Sequence, residues 1–181
     1  MPEVQLLKLK ICLVGESSVG KSSLIKRYVY NQFDGGYTAT LGAKINKKEI
    51  DIKIPDKDEP LKVILLIWDI MGQPGFRELL QEAYFYGAHG IVGVCDTTRE
   101  DTLLELNNWM NSVHSVTGPI PTVFLGNKCD LEDRRQVGEI EIKSFASGYK
   151  RSQTYLSSAK TGENVEFIFE ELSRRILRNL T

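Results

Sequence analysis

Residues Gly15-Glu16-Ser17-Ser18-Val19-Gly20-Lys21-Ser22 fit the pattern G-x-x-x-x-G-K-[ST], directly after an apolar run and at the head of a helical one. The chemistry needs that spacing. Glycines let the backbone curl, so that successive N–H groups from Gly15 through Ser17, Ser18, Val19 and Gly20 to Ser22 and Ser23 can face phosphate oxygens. The positive end of the following helix adds to them. Lys21 can reach the β and γ oxygens, and the Ser22 hydroxyl suits Mg²⁺. A chance match in a chain of this length has odds of about one in a hundred. The bland alternative is an ordinary glycine turn, which the strand–helix context disfavours. Alone, the loop indicates a nucleotide without saying which.

Asn127-Lys128-Cys129-Asp130 closes another apolar run, at the kind of strand end where a doubly wound sheet binds ligands. A carboxylate at Asp130 can accept both N1–H and the 2-amino group of guanine; adenine offers neither. Sites that bond a substrate group reject analogues lacking it by on the order of 10⁴-fold. Asp69-Ile70-Met71-Gly72-Gln73 follows a third apolar run. It provides an acid for Mg²⁺, usually through water, a Gly72 amide, and a Gln73 able to orient an attacking water. Ser157-Ser158-Ala159-Lys160 suits a backbone contact to the guanine carbonyl, and Thr40 stands in a stretch without periodicity, free to swing onto the metal.

The elements that must position these residues alternate in type, as in an α/β sandwich. Strand candidates are Leu6–Val14, Ala43–Ile54, Val63–Trp68, Gly90–Cys95, Thr122–Gly126 and Thr154–Ser157. Helix candidates are Gly20–Tyr30, Thr102–Val116, Glu139–Ser147 and a final segment on which Val165, Ile168, Phe169, Leu172 and Ile176 share a face. Glu170–Arg174 and Glu171–Arg175 add i,i+4 ion pairs to it. The charged turn at 55–60 joins the second and third strands into a hairpin, so the sheet is expected to be mixed.

Composition narrows the class. The 181 residues, 41% hydrophobic with 23 Lys+Arg against 24 Asp+Glu, suit one domain over 1–181 and exclude collagen-like and disordered classes. A net charge of −1 argues against sequence-independent nucleic-acid binding. No apolar run approaches a membrane span, and the N-terminus does not read as a secretory signal. Cys12, Cys95 and Cys129 show no metal-ligand spacing and point to a reducing compartment. His89 and His114 fall in no motif and read as polar packing or surface groups rather than general bases. Cys129 reads as packing rather than redox chemistry.

In this order the four elements resemble the Ras superfamily of small GTPases. The resemblance implies an α/β P-loop NTPase G domain, a mostly parallel sheet of about six strands with helices on both faces. It also implies GTP/GDP as ligand, Mg²⁺ as cofactor and slow hydrolysis of GTP. Carried over by motif, Lys21 and Ser22 are the phosphate-loop pair, Thr40 the switch I magnesium ligand, and Phe33 the aromatic against the guanine. Tyr37 closes over the phosphates, Asp69, Gly72 and Gln73 lie in switch II, and Asn127, Lys128 and Asp130 read the base with Ser158, Ala159 and Lys160. Lys21, Thr40 and Gln73 are the catalytic set; Ser22, Thr40 and Asp69 (via water) are the metal set. Within the superfamily the sequence looks most like the Rab branch, through Tyr84-Phe85-Tyr86-Gly87-Ala88-His89-Gly90, Trp68 and Trp109.

That branch implies effectors at the two switches, an exchange factor, a GTPase-activating protein, a monomeric chain and a role in vesicle trafficking or signalling. Tyr84, Phe85 and Tyr86 read as core and effector surface. Three departures stand out. Met71 occupies a position usually small in the family, beside the γ-phosphate, which bears on hydrolysis. Pro74-Gly75 replace an acidic residue and its neighbour, which bears on exchange. Asp69 follows Thr40 by 29 positions, with the surplus in the charged 55–60 tip, which can recognise a partner or be inert, the inert reading being favoured because loops tolerate insertions. Thr38 stands where heterotrimeric G-protein subunits carry an arginine, so a partner's arginine is expected to accelerate hydrolysis. Asn179-Leu180-Thr181 carries no prenylatable cysteine and Pro2 is not a myristoylation site. The expectation is a cytoplasmic protein, any membrane contact being peripheral on the cytosolic face. A non-cycling guanine-nucleotide scaffold is the alternative reading, and an ATP-dependent kinase or ATPase the third.

Overall fold

Period-two alternation decides which side of a buried strand feeds which layer. In a computed structural model that describes residues 6–36, 38–53 and 59–180, strand β1 (Leu7–Val14) sends Leu9, Ile11 and Leu13 to one face and Cys12 and Val14 to the other. The side chains at 74 and 76–78 lie outside that description, as do Tyr37 and most of the 55–60 tip. Helix α1 (Lys21–Tyr30) follows β1, and the hairpin β2 (Ala43–Ile52) and β3 (Leu61–Ile70) comes next. Then α2 (Pro74–Phe85), β4 (Gly90–Asp96), α3 (Glu100–Thr117), β5 (Thr122–Asn127), α4 (Glu139–Ala146), β6 (Ser152–Leu156) and α5 (Val165–Leu180) complete the chain.

The six strands lie in the order β2-β3-β1-β4-β5-β6, with β2 antiparallel to β3 and every other pairing parallel. Both faces are covered, as continuous apolar strands require. On one, α1 and α5 pack Leu24, Ile25, Tyr28, Ile168, Phe169 and Leu172 onto Leu9, Ile11, Val92 and Val94. Tyr28 and Phe169 stack with centroids 4.2 Å apart. On the other, α2, α3 and α4 pack Phe85, Leu106, Trp109, Met110 and Ile142 against Cys12, Ile91, Cys95 and Phe124. The expected face of α5 is the buried one, and its ion pairs form at 2.9 Å for Glu170–Arg174 and 3.4 Å for Glu171–Arg175.

Two elements were not expected, a single 3₁₀ turn at Glu132–Arg134 and the helix α2. α2 begins at Pro74, whose missing N–H suits a first helical turn, and ends by burying Tyr84 and Phe85 while Tyr86 stays 80% exposed. The parallel register sets Leu13 beside Asp69 and Asp96 beside Asn127. The loops after β1, β3 and β5 therefore leave the sheet along one edge, beside the point where the connection reverses from β3 to β4 across β1. Among the described residues no helix is long and apolar enough to cross a membrane.

All three cysteines are free and buried, and burial pushes each thiol from 9.0 up to about 12. The folded chain thus keeps protons that the unfolded chain releases above pH 9. This contribution to stability is whole below pH 9 and is lost as the pH climbs toward 12. A disulfide reagent at pH 8 is expected to leave the native thiols unmodified and to titrate Cys12, Cys95 and Cys129 in guanidinium. The melting temperature is expected to fall above pH 9, and less steeply in Cys95→Ala.

Candidate functional site

Two confluent hollows lie along this edge, sharing Ser18, Ser23, Asp34 and Gly36. The first, a cavity of about 340 Å³, is walled by Ser17, Gly20, Lys21, Ser22, Thr40, Asp69, Gly72 and Gln73. The second, of about 290 Å³, is walled by Phe33, Asn127, Lys128, Asp130, Ala159 and Lys160. Residues far apart in the chain are thus brought to one cleft in the two groups that their motifs suggested.

In the first hollow the turn between β1 and α1 passes so close to the end of β5 that no side chain fits. Gly20 has φ +102°, and a Cβ there would stand 2.2 Å from Asn127 Nδ2. Lys21 Nζ donates to the Gly15 and Glu16 carbonyls at 2.7 and 2.9 Å. Burial lowers its ammonium to about 8, against the pull of the Asp69 and Glu16 carboxylates. Beside it three oxygens converge. Ser22 Oγ donates to Asp69 Oδ2, and Thr40 Oγ1 lies 3.0 Å from Ser22 Oγ and 3.5 Å from Asp69 Oδ2.

Burial raises the Asp69 carboxyl above its usual value, although Ser22 and Lys21 oppose the rise, and its Oδ1 is buried without a hydrogen-bond partner. Two hydroxyls and a carboxylate with an open oxygen are hard donors that fit Mg²⁺ rather than a soft metal. Met71 is buried, and its N–H donates to the Gly42 carbonyl at 2.9 Å. Gln73 is exposed on the rim.

In the second hollow, Asn127 Nδ2 donates to the Val19 carbonyl at 2.9 Å, while its Oδ1 accepts from Ala159 N at 3.2 Å and Ser157 Oγ at 3.3 Å. Asp130 Oδ1 accepts from Ser158 Oγ at 2.6 Å. Lys128 Nζ donates to the Ser18 carbonyl at 2.8 Å and to Asp96 Oδ2 at 2.6 Å. Phe33 is 40% exposed at the mouth. Cys129 is buried, its thiol 3.4 Å from Glu163 Oε2, as packing predicts. His89 accepts the Lys10 N–H through Nδ1 at 2.9 Å and so serves the fold. Tyr37 lies outside the described residues.

Two contributors escaped the sequence reading. Asp96 ends β4; burial pushes its carboxyl up, but Lys128 and the Thr98 hydroxyl and N–H outweigh this and hold it low. An acid closing an apolar run at the ligand edge was the available signal. Arg27, on α1, donates from Nε to the Ala159 carbonyl at 2.8 Å and from Nη2 to the Lys160 carbonyl at 2.5 Å. These contacts span 132 and 133 positions, and nothing local marks them.

A family model described as the Ras family matches residues 10–178. The chain is 38% identical over 181 residues to Ras-related protein Rab-18-B of Danio rerio, covering 98% of this chain and 83% of that one. It is 37% identical over 172 residues to Ras-related protein Rab-22A of Mus musculus, covering 94% and 84%. Against Ras-related protein Rab-13 of Rattus norvegicus it is 34% identical over 169 residues, covering 93% and 79%.

Arg27→Ala removes two donors from consecutive carbonyls of the 157–162 loop. Each is a charge-assisted bond. Hydrogen exchange at the Ala159 and Gly162 amides is expected to quicken by about tenfold, while amides of β1 keep their protection.

Proposed function

Since this chain belongs to the Ras family and is a Rab-like small GTPase, we propose that residues 1–181 form one G domain that binds GTP and Mg²⁺ in the cleft. It hydrolyses GTP to GDP and phosphate, and alternates between two conformations as it does so. The observation that carries the reading is the meeting of Ser22, Thr40 and the open Asp69 carboxylate beside Lys21 and Gln73.

In the first hollow the amides from Gly15 to Ser23 and the Lys21 ammonium hold the α, β and γ oxygens. Ser22, Thr40 and Asp69, the last through water, would hold Mg²⁺, which would neutralise phosphate charge. Gln73 accepts a hydrogen bond from the attacking water and orients its oxygen toward phosphorus. Lys21 then neutralises the charge that develops on the leaving oxygen. Asp130 reads the guanine N1–H and 2-amino group, Asn127 and Lys128 brace the loop, and Phe33 covers the ring face. Tyr37 closes over the phosphates, and Ser158, Ala159 and Lys160 present backbone to the guanine carbonyl.

Thr40 and Gly72 grip the γ-phosphate side in the GTP state and release it after hydrolysis, freeing the stretches before β2 and after β3. Those stretches receive effectors, an exchange factor and a GTPase-activating protein. The monomer works in vesicle trafficking from the cytosol or on the cytosolic face of a membrane. With Thr38 rather than arginine beside the phosphates, intrinsic turnover is slow, on the order of 10⁻⁴ s⁻¹, and a partner's arginine speeds it.

The test is a single turnover: protein loaded with GTP receives Mg²⁺, and the bound GTP/GDP ratio is followed by ion-exchange chromatography. Wild type is expected to convert GTP over minutes to hours, and Gln73→Leu to stall by at least tenfold. Equal retention of GTP by both sinks the cycling reading and leaves a non-cycling scaffold. In the same assay Met71→Ala, which empties a buried side chain beside the γ-phosphate position, is expected to change the rate while leaving GDP release unaltered; identical hydrolysis removes Met71 from the account.

A further inference from the structure

A loop that binds polyphosphate gathers N–H donors and an ammonium, so an anionic side chain within it works against its ligand unless it is turned elsewhere. Glu16 is the one acid between Gly15 and Ser22. Its main chain touches two residues that wall the phosphate hollow, Lys21 and Gly72. Its carbonyl takes the Lys21 ammonium at 2.9 Å, and Gly72 approaches so near that a Cβ there would meet the Glu16 carbonyl carbon at 2.6 Å. Its side chain goes the other way. Trp109, fully buried midway along α3, donates its indole N–H to Glu16 Oε1 at 3.0 Å across 93 positions. A buried indole N–H needs an acceptor, so the bond serves both partners.

The charge of Glu16 is nonetheless felt at Lys21, where it opposes the lowering of the ammonium by burial. A carboxylate released from α3 would therefore compete with phosphate for the same ammonium, at short range and in a low-dielectric hollow. Trp109 also belongs to the apolar cluster that includes Tyr84 and Phe85 of α2 and Ile70 of β3. The indole thus connects the packing of α2 and α3 to the electrostatics of the phosphate loop.

We propose that Trp109 is a positioning residue of the phosphate site: its indole N–H holds the Glu16 carboxylate on the α3 side of the loop and leaves Lys21 to the phosphates. The inference rests on the reading of the cleft as a guanine-nucleotide site. Its consequence is that a protein pressing on α2 or α3 loosens the nucleotide by breaking one bond, without entering the cleft.

The experiment measures release of a fluorescent GDP analogue, chased by excess GDP at fixed Mg²⁺. The proteins are wild type, Trp109→Phe, Glu16→Gln and the double variant. Trp109→Phe keeps an aromatic ring in the core and is expected to release about tenfold faster, the scale of a lost bond to a charged group. Glu16→Gln keeps an acceptor for the indole but removes the charge, and is expected to release at the wild-type rate or more slowly. The double variant is expected within about threefold of wild type, because a neutral side chain does not compete for Lys21. A packing defect alone would not be rescued this way.

Release from Trp109→Phe at the wild-type rate overturns the proposal, and so does a double variant as fast as Trp109→Phe. Should Trp109→Phe fail to fold, Glu16→Gln still decides: faster release than wild type overturns it. Wild-type protein that does not retain the analogue defeats the nucleotide reading and this inference with it. Wild type that retains it beside an equally retentive Trp109→Phe defeats the inference alone.

Discussion

A single carboxamide holds the cleft together. Asn127, 1% exposed at the end of β5, donates to the Val19 carbonyl and accepts from Ser157 Oγ and Ala159 N. The loops after β1, β5 and β6 therefore share one anchor. The closeness of that anchor is also why residue 20 has no side chain, since a Cβ would occupy the place of Asn127 Nδ2. Removing the amide would leave a buried carbonyl, a hydroxyl and an N–H unpaired, each costing about 1–3 kcal/mol. Whatever binds along this edge meets donors already fixed in position, and pays little to order them.

Charge in this molecule is concentrated where packing is not. The two apolar clusters that hold the helices to the sheet contain no ionisable pair. The cleft, by contrast, has Lys21 and Asp69 in its first hollow and Lys128, paired with Asp96, in its second. Surface pairs such as Lys47–Glu49 at 2.8 Å, with both partners more than half exposed, contribute little. The Lys128–Asp96 contact at 2.6 Å, with Asp96 2% exposed, differs in kind, because breaking it strands a buried charge. Asp69 stands apart again. One oxygen is held by Ser22 and the other is buried with no partner, so the site is short by one positive or donating group. A core made of such contacts would be a poor way to build stability, and a cleft made of them selects its ligand.

The fold was legible because its strands are buried on both faces and its helices on one. Period-two runs and the Val165–Ile176 stripe carry that information locally, and the observed bounds differ from the expected ones by a few residues at most. Motifs with fixed spacing were legible for the same reason: Gly15–Ser22 closes its own geometry. What stayed hidden depends on pairings across the chain. Arg27 acts on carbonyls 132 positions away, Lys128 on Ser18 across 110, and Trp109 on Glu16 across 93. Helix α2 escaped for another reason. It opens with Pro74-Gly75, a pair that reads as a turn, and only the burial of Tyr84 and Phe85 at its far end commits it to the core.

The difference in anchoring between the loops bears directly on how a switch is built. The phosphate loop is bound on every side, by Asn127, Lys128, Arg99 and Trp109. Among the described residues between 31 and 42 there is no regular element. Asn31 and Gln32 are bonded back onto the end of α1; beyond them, the described residues are tied to the body by the exposed Lys26–Asp34 pair, the Thr40 hydroxyl on Ser22 and Asp69, and the Gly42 carbonyl on Met71 N–H. All three of these last ties end on residues that wall the phosphate hollow. A ligand shifts a conformational equilibrium only by what it binds differently in the two states. A γ-phosphate would meet Lys21 and the phosphate loop in a position already fixed, whereas its contacts to Thr40 and to the segment after β3 fall on weakly anchored chain. Under the proposed reading, its free energy would therefore go into ordering the two weakly held stretches.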